Sequence, residues 1–221
     1  MNKVLVVAPH PDDETLGCGG SLLRLEKEGS QLFWLICTNM EKNNNWSQKD
    51  ITIREDEIRK VSEVYKFKKV FKLGVPSTKV DMVPIAEIAE DLSKVFHEVS
   101  PDIVFIPFFN DVHTDHQLLS KPIQSLLKWF RYPYIKKVYM YETLSETNFS
   151  FMGRDIFHPN VFIDISEHLN KKIETFKLYE SEINEHPFPR SSDSIKALAK
   201  LRGSQSGYDF AEAFQLILER V

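Results

Sequence analysis

The chain has 221 residues, 42% hydrophobic and 27% charged, with 32 acidic against 28 basic side chains and a formal net charge of -4. That length buries a full core in one domain, 1–221, more readily than in two, and the acidic balance without a long basic block argues against nucleic acid as a partner. Two cysteines make no disulfide framework, the first residues are too poor in apolar side chains for a signal sequence, and no apolar run reaches the roughly 20 residues that span a bilayer, so the expected location is the cytoplasm.

In chain order, Val4 to Val7 reads as a buried strand, and an amphipathic helix begins at Thr15 with Leu16, Leu22, Leu23 and Leu25. Between them lie His10, Pro11, Asp12, Asp13 and Glu14. Three adjacent carboxylates are costly inside a packed core, so they are expected on a strand-to-helix turn where ligands are held. Gln31 to Thr38 is a second strand, Glu41 to Lys49 an exposed loop with Trp46 standing alone, and Thr52 to Phe67 a helix with Arg54 to Glu57 crowded into its first turns. Lys69 to Leu73 is a strand closed by Gly74 and Pro76, and Pro84 opens a helix that stops near Ser100.

Asp102 to Phe109 is the most apolar strand candidate, and a second polar cluster, Asn110 to His116, follows it. Leu118 to Phe130 reads as a helix, Lys137 to Glu142 and Asn160 to Ile165 as strands, and the loop between these strands carries Phe149, Phe151 and Met152 as a candidate pocket rim. Glu167 to Ile183, Ser192 to Leu201 and Phe210 to Leu218 read as helices, with a turn at Arg202 to Tyr208. Alternating strands and helices predict an α/β fold, a Rossmann-like, mostly parallel sheet with helices on both faces in a three-layer sandwich. Ligands of such a sheet bind beyond the carboxyl ends of its strands, so the two polar clusters can converge although about a hundred residues separate them. Their imidazoles and carboxylates suit zinc or another first-row divalent ion. Helix capping by Asp12, Asp13, Thr114 and Asp115 is the alternative for either cluster alone. His97, His158, His168 and His186 lack comparable acidic company and are expected in surface or packing roles, with His158 near a pocket edge.

The motifs APHPDDE at 8–14 and HTDH at 113–116 resemble those of the LmbE-like, or PIG-L, family of metal-dependent N-deacetylases, which remove acetyl groups from N-acetylglucosaminyl compounds. The resemblance extends over the helix with Arg54 and Glu57, the segment PNVFIDIS at 159–166 and RGSQSGYDFAEAF at 202–214. Thr114 stands where many relatives carry proline and contributes no ligand. The resemblance implies that His10, Asp13 and His116 hold a metal with one position left for water, zinc first and iron(II) or another divalent ion next. It implies Asp12 as general base, His113 as the group that steadies the oxyanion or protonates the departing nitrogen, Asp115 as the holder of that imidazole in its charged or correct tautomeric form, and Glu14 as support behind the metal shell.

Arg54 resembles an arginine placed near substrate, with a helix-surface ion pair to Glu57 as the alternative. Cys18 reads as a small packed residue rather than a nucleophile. The implied activity is hydrolysis of the linear acetamide of an amino sugar or its conjugate, nucleotide- and lipid-linked forms included. An amidase acting on a glucosaminyl-thiol conjugate, and a non-catalytic metal- or sugar-nucleotide-binding protein, are the competing readings. A homo-oligomer is within the expectation because relatives are often oligomeric, and loops 41–50 and 144–158 are expected to meet the aglycone.

Overall fold

The computed structural model describes residues 1–41, 46–151 and 156–221. Lys3–Ala8 (β1), Asp13–Lys27 (α1), Gln31–Asn39 (β2), Gln48–Tyr65 (α2), Lys69–Pro76 (β3), Ile85–Val99 (α3) and Ile103–Pro107 (β4) follow in alternation. Thr114–Ser125 (α4), Lys137–Tyr141 (β5), Val161–Asp164 (β6), Leu169–Phe176 (α5), Ser192–Ser206 (α6) and Ala211–Glu219 (β7) complete the described strands and α-helices, and Val80–Met82 and Thr147–Phe149 are short 3-10 turns. The strands form one sheet in the order β3-β2-β1-β4-β5-β7-β6. β1 to β5 pair in parallel, and β7 runs antiparallel between β5 and β6.

Side chains alternate across a strand with a period of two, and this alternation builds the layers. Val4 and Val6 of β1 face one core with Leu22, Trp34, Tyr65 and Phe176, under α1, α2, α5 and α6. Leu5 and Val7 face the other, with Leu35, Leu92, Phe96 and Leu119, under α3 and α4. The result is the expected α/β three-layer sandwich. β1 pairs with β2 on one side and β4 on the other, so the crossover direction reverses between β1 and β4, and a crevice opens at their carboxyl ends. Among the described residues no helix is long and apolar enough to cross a membrane.

Several elements differ from the reading of the sequence. The expected helix Phe210–Leu218 is the strand β7, because the open edges of β5 and β6 offer hydrogen-bonding partners on both sides, and that pairing overrides the helical bias of an Ala-Glu-Ala start. The expected turn at 202–208 is mostly helix, since α6 continues to Ser206 and ends on Gly207 at φ 81°. The helix expected over 167–183 is shortened to α5, Leu169–Phe176. α4 starts at Thr114 rather than Leu118 because His113 caps it, its Nδ1 accepting from the Asp115 N–H at 3.1 Å. α2 starts early for a similar reason, a reciprocal cap between Ser47 and Asp50. Residues 42–45, part of the expected exposed loop, lie outside the described residues.

Candidate metal centre and active site

The chain leaves β1 through Pro9 and His10 and turns into α1 at Asp12, which sits at φ 140°, a conformation an L residue rarely adopts. Such a residue costs on the order of 1–3 kcal/mol and persists only where its surroundings hold it. Glu14 supplies that hold: its Oε2 accepts the Asp12 N–H at 3.0 Å, while its Oε1 accepts the hydroxyls of Thr15 at 2.5 Å and Tyr179 at 2.8 Å. The acids expected on an open turn are in fact buried, with Asp12 5%, Asp13 3% and Glu14 0% exposed. Their bonds to neighbouring donors make burial tolerable, which the run of carboxylates alone did not reveal. Burial pushes the Glu14 carboxyl up to about 7. Glu14 therefore supports the Asp12 backbone rather than a metal ligand directly.

Asp13 stands between two imidazoles. Its Oδ2 lies 3.5 Å from His10 Nδ1 and 3.2 Å from His116 Nε2, and it accepts the His10 backbone N–H at 2.8 Å. One donor atom each from His10, Asp13 and His116 falls within 4.8 Å of the others. His116 Nε2 is buried, and Asp13 Oδ2 at 3.2 Å is the group it faces at this point. Both imidazoles are backed by carboxylates: His10 Nε2 meets Asp115 Oδ2 at 3.0 Å, and His116 Nδ1 meets Asp111 Oδ2 at 2.8 Å. Asp115 is fixed in turn by the Thr78 N–H at 2.8 Å, and Asp111 by the Thr147 hydroxyl at 2.6 Å. Paired carboxylates of this kind orient metal-binding histidines and raise their basicity. Two histidines and one carboxylate, each offering one donor atom at this point, fit a divalent ion.

Charges in the cluster follow the same contacts. Burial opposes a charged His10, but Asp115 and Asp13 prevail and push it up to about 9. Burial likewise opposes ionised Asp13, yet His116 and His10 hold it well below the usual carboxylate range. Burial, with Asp13 and Glu182 nearby, raises Asp12 well above its ordinary value despite Arg54 and Arg190. His113 is lowered to about 4 by burial and by the two neighbouring imidazoles.

The carboxylate of Asp115 hydrogen-bonds His10 rather than His113, although it lies within 4.8 Å of a nitrogen of each ring. What Asp115 gives His113 is its backbone N–H, and because Nδ1 accepts that bond the neutral ring carries its proton on Nε2. Arg54 pairs with Glu57, but inside the molecule rather than on the helix surface. It is buried on the cleft wall, donates to Pro11 O at 3.0 Å and Ser181 Oγ at 3.1 Å, pairs with Glu182, and has Nε 3.3 Å from Glu57 Oε2. Cys18 is a packed residue at a local break in α1, its thiol donating to Glu14 O at 3.3 Å.

A cleft of about 410 Å³ opens beside the cluster, with His10, Asp12, Asp13 and His113 on its wall. Of the loop expected to form its rim, Ser145 and Glu146 line the cleft, Phe149 and Phe151 do not, and Met152 lies outside the described residues. His158 is not on the wall either. Sequence reasoning missed Asp111, Glu182 and Arg190. Asp111 sat in the recognised cluster, five residues before His116, whereas Arg190 comes from a pattern-free loop, placing Nη1 3.1 Å from Glu182 Oε2 and 3.4 Å from Asp12 Oδ2.

Comparisons with known proteins place the chain in a family. Residues 5–126 match the family model PIG-L, described as GlcNAc-PI de-N-acetylase. The diacetylchitobiose deacetylase of Thermococcus kodakarensis is 23% identical, covering 98% of this chain and 84% of the relative. A Bacillus cereus protein named "Probable N-acetyl-alpha-D-glucosaminyl L-malate deacetylase 2" is 30% identical over 54% of this chain and 58% of its own. The crystal structure of a conserved protein from Thermus thermophilus superposes with a TM-score of 0.80 at 27% identity, covering 100% of this chain and 97% of that one. With more than half its length matched by the family model, the chain belongs to the PIG-L family of N-deacetylases.

Proposed function

We propose that this protein is a metal-dependent hydrolase that removes the N-acetyl group from an N-acetylglucosaminyl sugar or conjugate, with His10, Asp13 and His116 as the protein ligands of the ion. The observation that carries the reading is the convergence of His10, Asp13 and buried His116, one donor atom of each within 4.8 Å of the others, beside a cleft that also presents Asp12 and His113. Two imidazoles and a carboxylate suit zinc first, and iron(II) as well. A bound divalent ion would polarise the acetamide carbonyl and make water acidic enough to lose a proton near neutral pH.

The chain supplies the rest. Asp12 takes the proton of the attacking water as the oxygen bonds to the acetyl carbon, and the same proton then reaches the amine nitrogen as the C–N bond breaks, leaving acetate and a primary amine. His113, with Nδ1 already occupied, directs its Nε2–H at the oxygen that gathers negative charge. Arg54 ties the Pro11 carbonyl to α2 and Glu182, which keeps the Asp12 turn in place. The reading takes 1–221 as one catalytic domain, and the two unpaired buried cysteines favour a reducing compartment such as the cytoplasm.

The test is release of free acetate and new amine from a panel of N-acetylglucosaminides, before and after chelation and after return of zinc or iron(II). Chelation is expected to abolish turnover and metal to restore it. Turnover indifferent to chelators refutes the assignment.

A further inference from the structure

Helix α1 is broken a little more than one turn beyond Asp12. Cys18 sits at φ -143° and ψ 17°, outside helical values, in a stretch, Gly17 to Gly20, whose glycines make it a poor helix former. In an unbroken helix the Leu16 carbonyl accepts the Gly20 N–H. Here each has a partner from outside α1. Lys172 of α5 donates through Nζ to Leu16 O at 2.8 Å, and Glu212 of β7 accepts the Gly20 N–H at 2.8 Å and the Ser21 N–H at 2.7 Å. The two side chains meet at 2.6 Å, with Lys172 4% and Glu212 5% exposed. Side chains set into the ladder of a helix kink it, and these satisfy the groups that the kink releases.

The pair reaches the candidate metal centre through the backbone. Leu16, whose carbonyl Lys172 holds, donates its own N–H to Asp12 O at 2.9 Å, so a continuous run of hydrogen bonds joins Glu212, Lys172, Leu16 and the turn that carries Asp12 and Asp13. An intact α1 would fix that turn along the axis of the rest of the helix. A break held by an ion pair lets α5 and β7 set its direction instead. Neither Lys172 nor Glu212 lines the cleft, so neither meets a substrate there, and both lie beyond residues 5–126, which match the family model. Stability alone is a weak reason for such a pair, because well-packed neutral replacements often serve a core equally well.

We infer that Lys172 and Glu212 are positioning residues for the catalytic turn: clamped across the break in α1, the pair sets the direction of the Asp12–Asp13 turn, and with it the geometry of the metal ligands and the base. This rests on the metal-dependent deacetylase reading above and adds to it two residues that act only through the backbone.

The test uses the full chain carrying Lys172→Met and Glu212→Gln together, which leaves no buried charge unpaired and gives the Gly20 and Ser21 N–H groups one acceptor between them. Circular dichroism and urea denaturation check the fold. The double variant is expected to stay folded while zinc affinity falls about tenfold and kcat per metal-loaded molecule falls about 10–100-fold, with KM within about twofold of wild type. Cobalt(II) in the site, read by its visible absorption, should show an altered coordination geometry. Leu92→Ala, a cavity in the core on the other face of the sheet, is the control for lost stability alone and should leave zinc affinity and the cobalt spectrum as in wild type. The inference is overturned if the folded double variant matches wild type in zinc affinity and cobalt spectrum, or if Leu92→Ala loses as much as the double variant does. Should the double variant not fold, Glu212→Asp keeps the charge and draws the carboxylate back by one methylene, and the same shifts are expected. Wild-type values there, or a second failure to fold, mean that the pair serves the core and not the site. Altered zinc binding in a chain that releases no acetate keeps the inference and refutes the deacetylase reading, whereas a wild type that takes up no zinc refutes the metal centre and the inference with it.

Discussion

Asp111 gives a sharp test of the candidate metal centre, because on the present assignment it acts on the ion only through His116. Both side chains are 0% exposed and the contact is 2.8 Å, so Asp111→Asn keeps size and a possible acceptor while deleting a buried charge. Hydrogen bonds to charged groups contribute about 1.5–3 kcal/mol against about 0.5–1.5 for neutral ones, so the lost difference is about 1–1.5 kcal/mol, or roughly tenfold in affinity for zinc. Asp111→Ala also leaves Nδ1 buried and unpaired, and should weaken binding toward 100-fold, the upper end of what such backing residues contribute (about 10–100-fold). The assay is competition with a chromophoric chelator at about pH 9, where the proton that Asp111 also favours on His116 competes less with the metal. Circular dichroism checks that the variants stay folded. Zinc affinity equal to wild type in both folded variants would refute the assignment of His116 as a ligand held through Asp111.

Other perturbations read different parts of the site. Asp12→Asn should retain metal while losing about 10²–10⁴-fold in turnover, measured as acetate release, and unchanged turnover removes Asp12 as the base. His10, pushed up to about 9 in the metal-free protein by Asp115 and Asp13 against burial, is protonated at pH 7, so metal capture must expel that proton. Apparent metal affinity should therefore climb by about tenfold per unit of pH for this group and flatten above about 9; calorimetry in buffers of different ionisation enthalpy counts the protons, and no release contradicts the coupling. A Cβ at Gly17 would lie 2.2 Å from the ring of Tyr141, itself wholly buried with its hydroxyl donating to Val7 O at 2.9 Å. Gly17→Ala should accordingly lower stability by about 1–3 kcal/mol in urea denaturation, and a wild-type midpoint would mean that the α1–β5 approach is looser than described.

The short apolar runs ending at Val7 and in the 102–109 segment were legible because a buried parallel strand leaves a compact mark, and the parallel sheet then placed their polar sequels in one crevice. That was enough to bring the two polar clusters together, while the resemblance of their motifs to the PIG-L family picked His10, Asp13 and His116 as one group. The C-terminal strand was not legible in the same way. Ala211 to Glu219 suits either helix or strand, and the free edges of β5 and β6 decide between them.

The chain's own order of residues determined most of the alternation of strands and helices and the two family motifs, since each is written in spacing over a few neighbouring positions, and the candidate ligands followed from the resemblance those motifs carry. Only the tertiary structure decided that Asp115 serves His10, that Asp111 stands behind His116, that Glu14 is buried beneath the Asp12 turn and that Arg190 reaches Asp12 from 178 positions away. Periodicity records which face of an element is apolar; which polar group meets which is set by packing between distant segments, where burial selects the partners that leave the fewest charges unpaired.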